Sequence, residues 1–390
     1  MPTRNGHSQI EAAVKVLPAI GEVSPEEWDA CAGSANPFLG HRFLSALEDS
    51  GAVTAETGWL PRHLIVEDDA GRVAGAMPLY LKGHSYGEYV FDWAWADAYE
   101  RAGGRYFPKL LSGVPFTPVP GPRMLVRPDA DRAGVEDVLA GGLVALTKRL
   151  GASSAHVNFL PREQWERLGT FGLLQRTGLQ YHWSNDGYRG FDDFLAALSS
   201  RKRKAIRKER REVAESGLAI RRLTGAAIEE RHWDAFFRFY TDTSDRKWGS
   251  PYLNRRFFTL LGERLAERIL LVVAERDGEP VAGALNLIGD DTLYGRNWGC
   301  IEDHAFLHFE ACYYQAIEFA IERGLATVEA GAQGPHKLQR GYLPVETYSA
   351  HFIADLRLRE AIADFLVRER RQVAYEHAAM AAESPFRRDG

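Results

Sequence analysis

The chain has 390 residues, 45% of them hydrophobic and 26% charged, which suits two globular units with buried cores. Its net charge of -5 excludes a protein that is basic throughout and coats nucleic acid, so any polyanion site must be a local patch. The cysteines Cys31, Cys300 and Cys312 are too scattered for a disulfide framework. Residues 1–10 are polar, and no 18-residue apolar run occurs; together these predict a cytoplasmic protein without membrane insertion.

In chain order, Ser24 is placed to cap a helix over Pro25–Ala32, and a second helix follows over 37–50. Residues 63–82, HLIVEDDAGRVAGAMPLYLK, read as a hairpin around an Asp-Asp-Ala-Gly turn. A helix over 135–150 ends at Gly151, and a strand follows over 155–160. One long helix is expected over 191–216, closing at Gly217, with a strand at 218–223. Further helices are expected at 232–245, 254–264 and 306–323, a buried strand at 327–330, a terminal helix at 355–379 and a frayed tail at 383–390. Residues 269–288, ILLVVAERDGEPVAGALNLI, repeat the plan of the first hairpin, with Ala282-Gly283-Ala284 matching Ala74-Gly75-Ala76. Each hairpin leads into an aromatic stretch, at 86–95 and 294–298. The pattern predicts a mixed α/β protein made by duplication of one unit, with the halves packed together.

The most physical clue is the run of eight cations within 201–211. On a helix, Arg203, Arg207, Arg210 and Arg211 share a face, suited to bidentate contacts with phosphate. Aminoacyl-tRNA, a pyrophosphate-linked carrier and coenzyme A are the ligands of that type. The plain alternative is a solvated helix laced by Lys208–Glu212 and Arg211–Glu215 pairs.

A second constellation is Glu329-Ala330-Gly331-Ala332-Gln333-Gly334 with His336 and Lys337. A buried strand that ends in small residues lets a ligand approach the backbone, and the polar groups beyond it suit acyl transfer to an amine. His336 or Glu329 is the candidate base, and Gln333 and Lys337 are candidates to steady the acyl oxygen. Glu310, a carboxylate in an apolar helix, is a further candidate base or else the partner of Lys337 or an arginine. Cys300, His304, His308 and Cys312 recur every four residues. A helix would spread them over about 18 Å, so no metal site is expected. Tyr89, Phe91, Trp93 and Trp95 alternate as a strand that is core or a pocket wall, with Asp92 and Asp97 placed to meet an amine. Nucleophile-elbow, Walker A and dinucleotide-binding motifs are absent. The glycine-rich pyrophosphate loop of coenzyme-A-using enzymes is not evident either.

Three stretches carry a resemblance: FLAALSSRKRKAIRKERREVAESG at 194–217; HFEACYYQ at 308–315 with EAGAQGPHK at 329–337; and GEYVFDWAWAD at 87–97 with VPFTPVPGPR at 114–123. Together they resemble the Fem-like family described as peptidoglycan biosynthesis/recognition. The resemblance implies two tandem GNAT-like (acyl-CoA N-acyltransferase-like) units, expected at 1–180 and 181–390, with the basic helix 197–216 in the second. It implies transfer of an acyl or aminoacyl group from a phosphate-bearing donor, aminoacyl-tRNA or an acyl-CoA, to a small-molecule or peptide amine. In that reading Arg203, Arg207 and Arg211 anchor the donor and Glu310, His336, Gln333 and Lys337 do the chemistry. Trp93, Asp97, His308, Tyr314 and Glu329 would meet substrate. The competing classes are a non-catalytic carbohydrate- or peptide-binding protein on the same duplicated fold, and a nucleic-acid binder using the basic helix alone.

Overall fold

The computed structural model describes residues 14–247, 251–331 and 334–387. Its strands are β1 (Val14–Leu17), β2 (Trp59–Pro61), β3 (His63–Glu67), β4 (Val73–Met77), β5 (Tyr80–Lys82), β6 (Lys109–Ser112), β7 (Leu125–Val126), β8 (Ser154–Leu160), β9 (Leu174–Ser184), β10 (Ala219–Thr224), β11 (Ile269–Arg276), β12 (Glu279–Ile288), β13 (Thr292–Cys300), β14 (Thr327–Glu329) and β15 (Leu343–Ile353). Both expected hairpins form, as β3–β4 and β11–β12, each antiparallel. The first is bent. β2 and β5 join a sheet of eleven strands, whereas β3 and β4 belong to a separate sheet ordered β1-β3-β4-β7.

The large sheet runs β10-β11-β12-β13-β14-β9-β15-β8-β6-β5-β2. Two parallel pairs stand out in it, β6 with β8 and β13 with β14, each preceded by an antiparallel neighbour. That repeated plan is the GNAT-like unit, present twice. Between the two pairs lie β9 and β15, which trade places: β9 pairs with β14 and β15 pairs with β8, while pairing with each other along their length. Residue 180, the expected junction, falls inside β9. An apolar seam also joins the halves, with Phe43 of the helix His41–Asp49 edge-on to Phe257 of the helix Arg255–Leu265.

Several expectations need correction. The helix over 191–216 is broken into Phe191–Ala197 and Ser200–Ala214. Leu198 is extended there and bridges to Phe386, and Ser199 N–H donates to the Pro385 carbonyl. The tail that makes these bonds is therefore docked as far as Arg387. The aromatic stretch at 89–95 is not a strand: it is a loop leading into the helix Trp93–Arg101, so its alternation does not make one face. The strand equivalent to β13 is β6, which carries no aromatic run. Among the described residues, no helix is long and apolar enough to cross a membrane.

Beneath that loop lies a buried polar network. Lys109 Nζ donates to Ser85 (2.7 Å), Glu88 (2.8 Å) and Asp92, and Tyr106 Oη donates to Asp92 (2.7 Å). His156 and His351 meet ring nitrogen to ring nitrogen at 2.7 Å. Burial pulls His156 down to about 3, His182 down to about 4, and His351 well below the ordinary imidazole value. These rings fold neutral and gain protons on unfolding. Their contribution to stability is complete above pH 6.5 or so and is lost as the pH falls below it. Glu88, pushed up by burial to about 7, works in the opposite sense with one proton. The net difference approaches two protons only toward pH 5.5, where the loss nears roughly 2–3 kcal/mol per pH unit. Melting followed from pH 7.5 to 5.5 should show a clear fall, and an unchanged melting temperature would contradict the neutral histidines.

Candidate active site

β13 and β14 pair only over Thr292–Tyr294 and Thr327–Glu329. Beyond that point β13 runs on to Cys300 while the chain leaves β14 at Ala330, so the strands part. A cavity of about 80 Å³ opens beside the gap, lined by Asn286, Arg296, Asn297, His308, Cys312 and Tyr313 among others. Gly295 keeps its floor close-packed. A Cβ on Gly295 would stand 3.3 Å from Asn286 Oδ1 and 3.4 Å from the Glu329 carbonyl.

In the first unit, Arg123 reaches β8 just beyond the end of its pairing with β6. Arg123 is fully buried there and spreads its guanidinium over the carbonyls of Asn158 (2.8 Å), Gly121 (2.9 Å) and Val119 (2.5 Å).

Arg296 crosses the open gap with its side chain 6% exposed. It donates to Glu329 Oε1 (2.9 Å) and the Gly295 carbonyl (2.8 Å), while its Nε has no partner. Burial raises the Glu329 carboxyl and Arg296 opposes the rise, so the pair sits as a desolvated ion pair. Lys337 Nζ donates to the carbonyls of Ala330 (2.6 Å) and Gly331 (3.0 Å), and burial draws its amine down to about 8.

His336 is exposed at the rim, its Nε2 bonded to Tyr313 Oη at 2.9 Å. Its partial burial, then Lys337 and Arg340, lower its pKa, so the ring is neutral at pH 7 and can accept a proton. The His308 ring lies 6.1 Å from that of His336 and edge-on to Trp298. Glu329, His308, His336 and Lys337 are thus brought together as the sequence suggested. Gln333 lies outside the described residues.

Glu310 opens a π-helical turn, Glu310–Tyr314, ahead of the helix Gln315–Arg323. Such turns are widened helix, and they recur at functional sites. Its carboxylate accepts from Arg210 Nε (3.1 Å) and Nη2 (3.0 Å) and from Gln315 (2.7 Å), and Arg210 also reaches Glu318 (3.0 Å). Of the two expected roles, the geometry builds the pairing one, with Arg210 as the arginine. Tyr314 is fully buried and its hydroxyl donates to Glu209, which also pairs with Arg340 (3.0 Å), so this residue braces the basic helix and does not face the cavity.

These ties bring the basic helix against the site. A groove of about 450 Å³ runs between them, lined by Arg207, Arg210, Arg211, Asp192, Phe191 and Glu310 among others. Arg207 pairs with Asp192 at 3.1 Å on the surface, and Arg203 stands one turn earlier, half-buried. Trp93 and Asp97 sit elsewhere. Trp93 packs against Tyr86, Asp97 pairs with Arg101, and among the described residues neither contact reaches the cavity. His304 is occupied with Glu302 and Arg276, and no group of three metal-ligating side chains occurs among the described residues.

Sequence reasoning missed Arg296, Asn286, Asn297 and Tyr313. The signal for Arg296 was available, since an arginine in the middle of a buried strand demands a buried counter-charge, and Glu329 is the acid that ends the neighbouring strand.

A family model described as peptidoglycan biosynthesis/recognition (FemAB-like) matches residues 19–388. No curated protein matches the chain. Among solved structures, FemX is similar with a TM-score of 0.55 at 13% identity, covering 87% of this chain and 98% of that one. The C-terminal domain of a putative lysylphosphatidylglycerol synthetase from Agrobacterium fabrum gives 0.52 at 10% identity, covering 90% and 97%. L-PGS from Bacillus licheniformis gives 0.50 at 11%, covering 85% and 98%. At such identities the likeness is one of fold.

Proposed function

The chain belongs to the FemAB-like family of peptidoglycan biosynthesis/recognition, and from that premise we propose that it is a cytoplasmic transferase moving an acyl or aminoacyl group to an amine. The observation that carries the reading is the open parting of β13 and β14, with a neutral His336 and the ammonium of Lys337 beside it and a cationic groove next door. We divide the units as 1–180 and 181–390, with β9 and β15 exchanged, and assign the reaction to the second.

In this reading Arg207 and Arg211, with Arg203 a turn away, hold the phosphates of an aminoacyl-tRNA or an acyl-CoA. The reacting carbonyl lies at the cavity, where Lys337 and Gln333 steady its oxygen. Two protons of the Lys337 ammonium serve backbone carbonyls and the third remains for the acyl oxygen. His336 takes the proton from the attacking amine, and the Tyr313 hydroxyl fixes its ring. Glu310 holds the groove to the site through Arg210, and Glu329 holds Arg296. Trp93 and Asp97 are left for a remote part of the acceptor.

The double variant Arg207→Ala, Arg211→Ala tests the donor assignment. Loss of two charge-assisted contacts should weaken the binding of acetyl-CoA or of alanyl-tRNA, whichever the wild type takes, by about 10- to 1,000-fold. The wild type's affinity should fall as salt rises from about 50 to 200 mM, and the variant's should fall less. Equal affinities with equal salt slopes would remove the donor from the groove.

A further inference from the structure

A second cavity, of about 20 Å³, lies between the two units. Phe38, Phe43 and Phe116 of the first unit and Phe257, Leu261 and Leu287 of the second stand in its wall. It shares Leu285, Arg296 and Asn297 with the 80 Å³ cavity, so a chain leaving the reacting carbonyl meets it directly. Arg296 is the extra residue of a β-bulge, where the pairing register of β12 and β13 shifts at Leu285 and Asn286, and such bulges re-aim a side chain. The aromatic walls hold one another in place. Phe43 stands edge-on to Phe38 at 4.9 Å and to Phe257 at 5.9 Å, and Phe116 stacks on Tyr252 at 5.1 Å. Phe116 also keeps a left-handed backbone (φ 59°), a strain that persists only where the surroundings impose it and that gathers at ligand clamps.

Charge narrows what this space can take. Among the described residues, no carboxylate lines either cavity. The nearby acids are already engaged, Glu329 with Arg296 at 2.9 Å and Glu310 with Arg210 at 3.0 Å. Arg296 stands in both walls, its guanidinium 4.8 Å over the Phe38 ring. An aminoacyl group would bring its α-ammonium out of water beside that cation and without a counter-charge, which is costly. A hydrocarbon chain meets no such cost and gains by leaving water.

We propose that the transferred group is a short, uncharged acyl chain brought as a thioester, with its apolar end in the cavity between the units, and not an aminoacyl group. This rests on the transferase reading and names the substrate class of the same site. The small volume sets the length, with room for a few carbons beyond the carbonyl and no more. Leu261, fully buried on the helix Arg255–Leu265, is part of the wall that limits it. The reaction itself is unchanged. The carbon–sulfur bond of the thioester breaks, a carbon–nitrogen bond forms, and the proton that His336 takes from the amine passes to the departing thiolate.

The test compares two isosteres on the full chain, propionyl-CoA and glycyl-CoA, which set a methyl group against an ammonium. Calorimetry measures the binding of each without an amine. Each donor, and alanyl-tRNA beside them, is then mixed with an amine-bearing uridine-diphosphate sugar-peptide and amide is sought. Propionyl-CoA should bind about 100-fold more tightly than glycyl-CoA. Octanoyl-CoA should bind about 10-fold more weakly than propionyl-CoA, and Leu261→Ala should narrow that gap with the affinity for free coenzyme A within about twofold of wild type. Equal binding of the two isosteres overturns the subsite whatever the amide result, and it does so without any variant. Octanoyl-CoA bound by the wild type as well as propionyl-CoA overturns the length limit. Amide from alanyl-tRNA but not from propionyl-CoA overturns the acyl assignment and leaves transfer standing. Preferred binding of propionyl-CoA with no amide from any donor supports the subsite and counts against the transferase reading. Absence of both binding and amide with every donor overturns both.

Discussion

Replacing Lys109 with methionine is expected to cost about 3–5 kcal/mol of stability, the largest effect of any single change considered for the fold. Its ammonium is fully buried, and it is the cation that neutralises Asp92 while also reaching Glu88. Methionine fills the same space but leaves two carboxylates facing each other out of water. Glu88 can escape by taking up a proton, since burial already pushes it up to about 7. Asp92 is different: despite burial, Lys109 holds it down to about 2, so it would lose its counter-charge outright. Denaturant unfolding should show the loss, and adding Asp92→Asn to the methionine variant should recover much of it. A loss under about 1 kcal/mol would mean that the network is hydrated and that the buried ion pair does not hold the loop.

The largest effect on activity is expected from His336→Ala. Removing a positioned base lowers kcat by about 10²–10⁴-fold, and donor affinity should be spared because the phosphate groove lies on the other side of the site helix. The pH profile carries the signs. His336 works neutral and its pKa is lowered, so the acid limb should lie below the ordinary imidazole value of about 6.5, with activity lost as the pH falls through it. Lys337 works charged with its amine drawn down to about 8, so activity should fall as the pH rises through that value. Substituting Lys337 with Met should remove the alkaline limb along with most of the rate. A His336→Ala enzyme as fast as wild type would move the base elsewhere.

How much of this was legible follows from the range of each signal. Local signals were read correctly: the Ser24 cap accepts from Glu27 N–H as its position implied, and both hairpins turn where acidic residues and glycine stand. The break at Leu198 was not legible, because the tail near Phe386 that pins it is far away in sequence and Leu198 itself has ordinary helix propensity. The same limit hid the exchange of β9 and β15, whose partners are set by tertiary packing and not by any local pattern. At the site, the chemistry-bearing types at 308–310 and 329–337 stood out, but which carboxylates were spent on ion pairs did not. Arg210 was seen on the cationic face, yet its partner Glu310 lies 100 residues on. The π-helical turn over Glu310–Tyr314 has no sequence signature of its own, so the stretch read as plain helix.

The most direct measurement is label transfer. The purified chain is mixed with acetyl-CoA or alanyl-tRNA labelled in the acyl group and with a uridine-diphosphate sugar-peptide bearing a free amine, and the label is followed into an amide. The account predicts label in the amide with one donor class, and strong loss in His336→Ala at unchanged donor binding. Tight binding of donor or sugar-peptide with no amide from any combination would contradict it, and would make the open gap between β13 and β14 the floor of a binding groove in a protein without turnover.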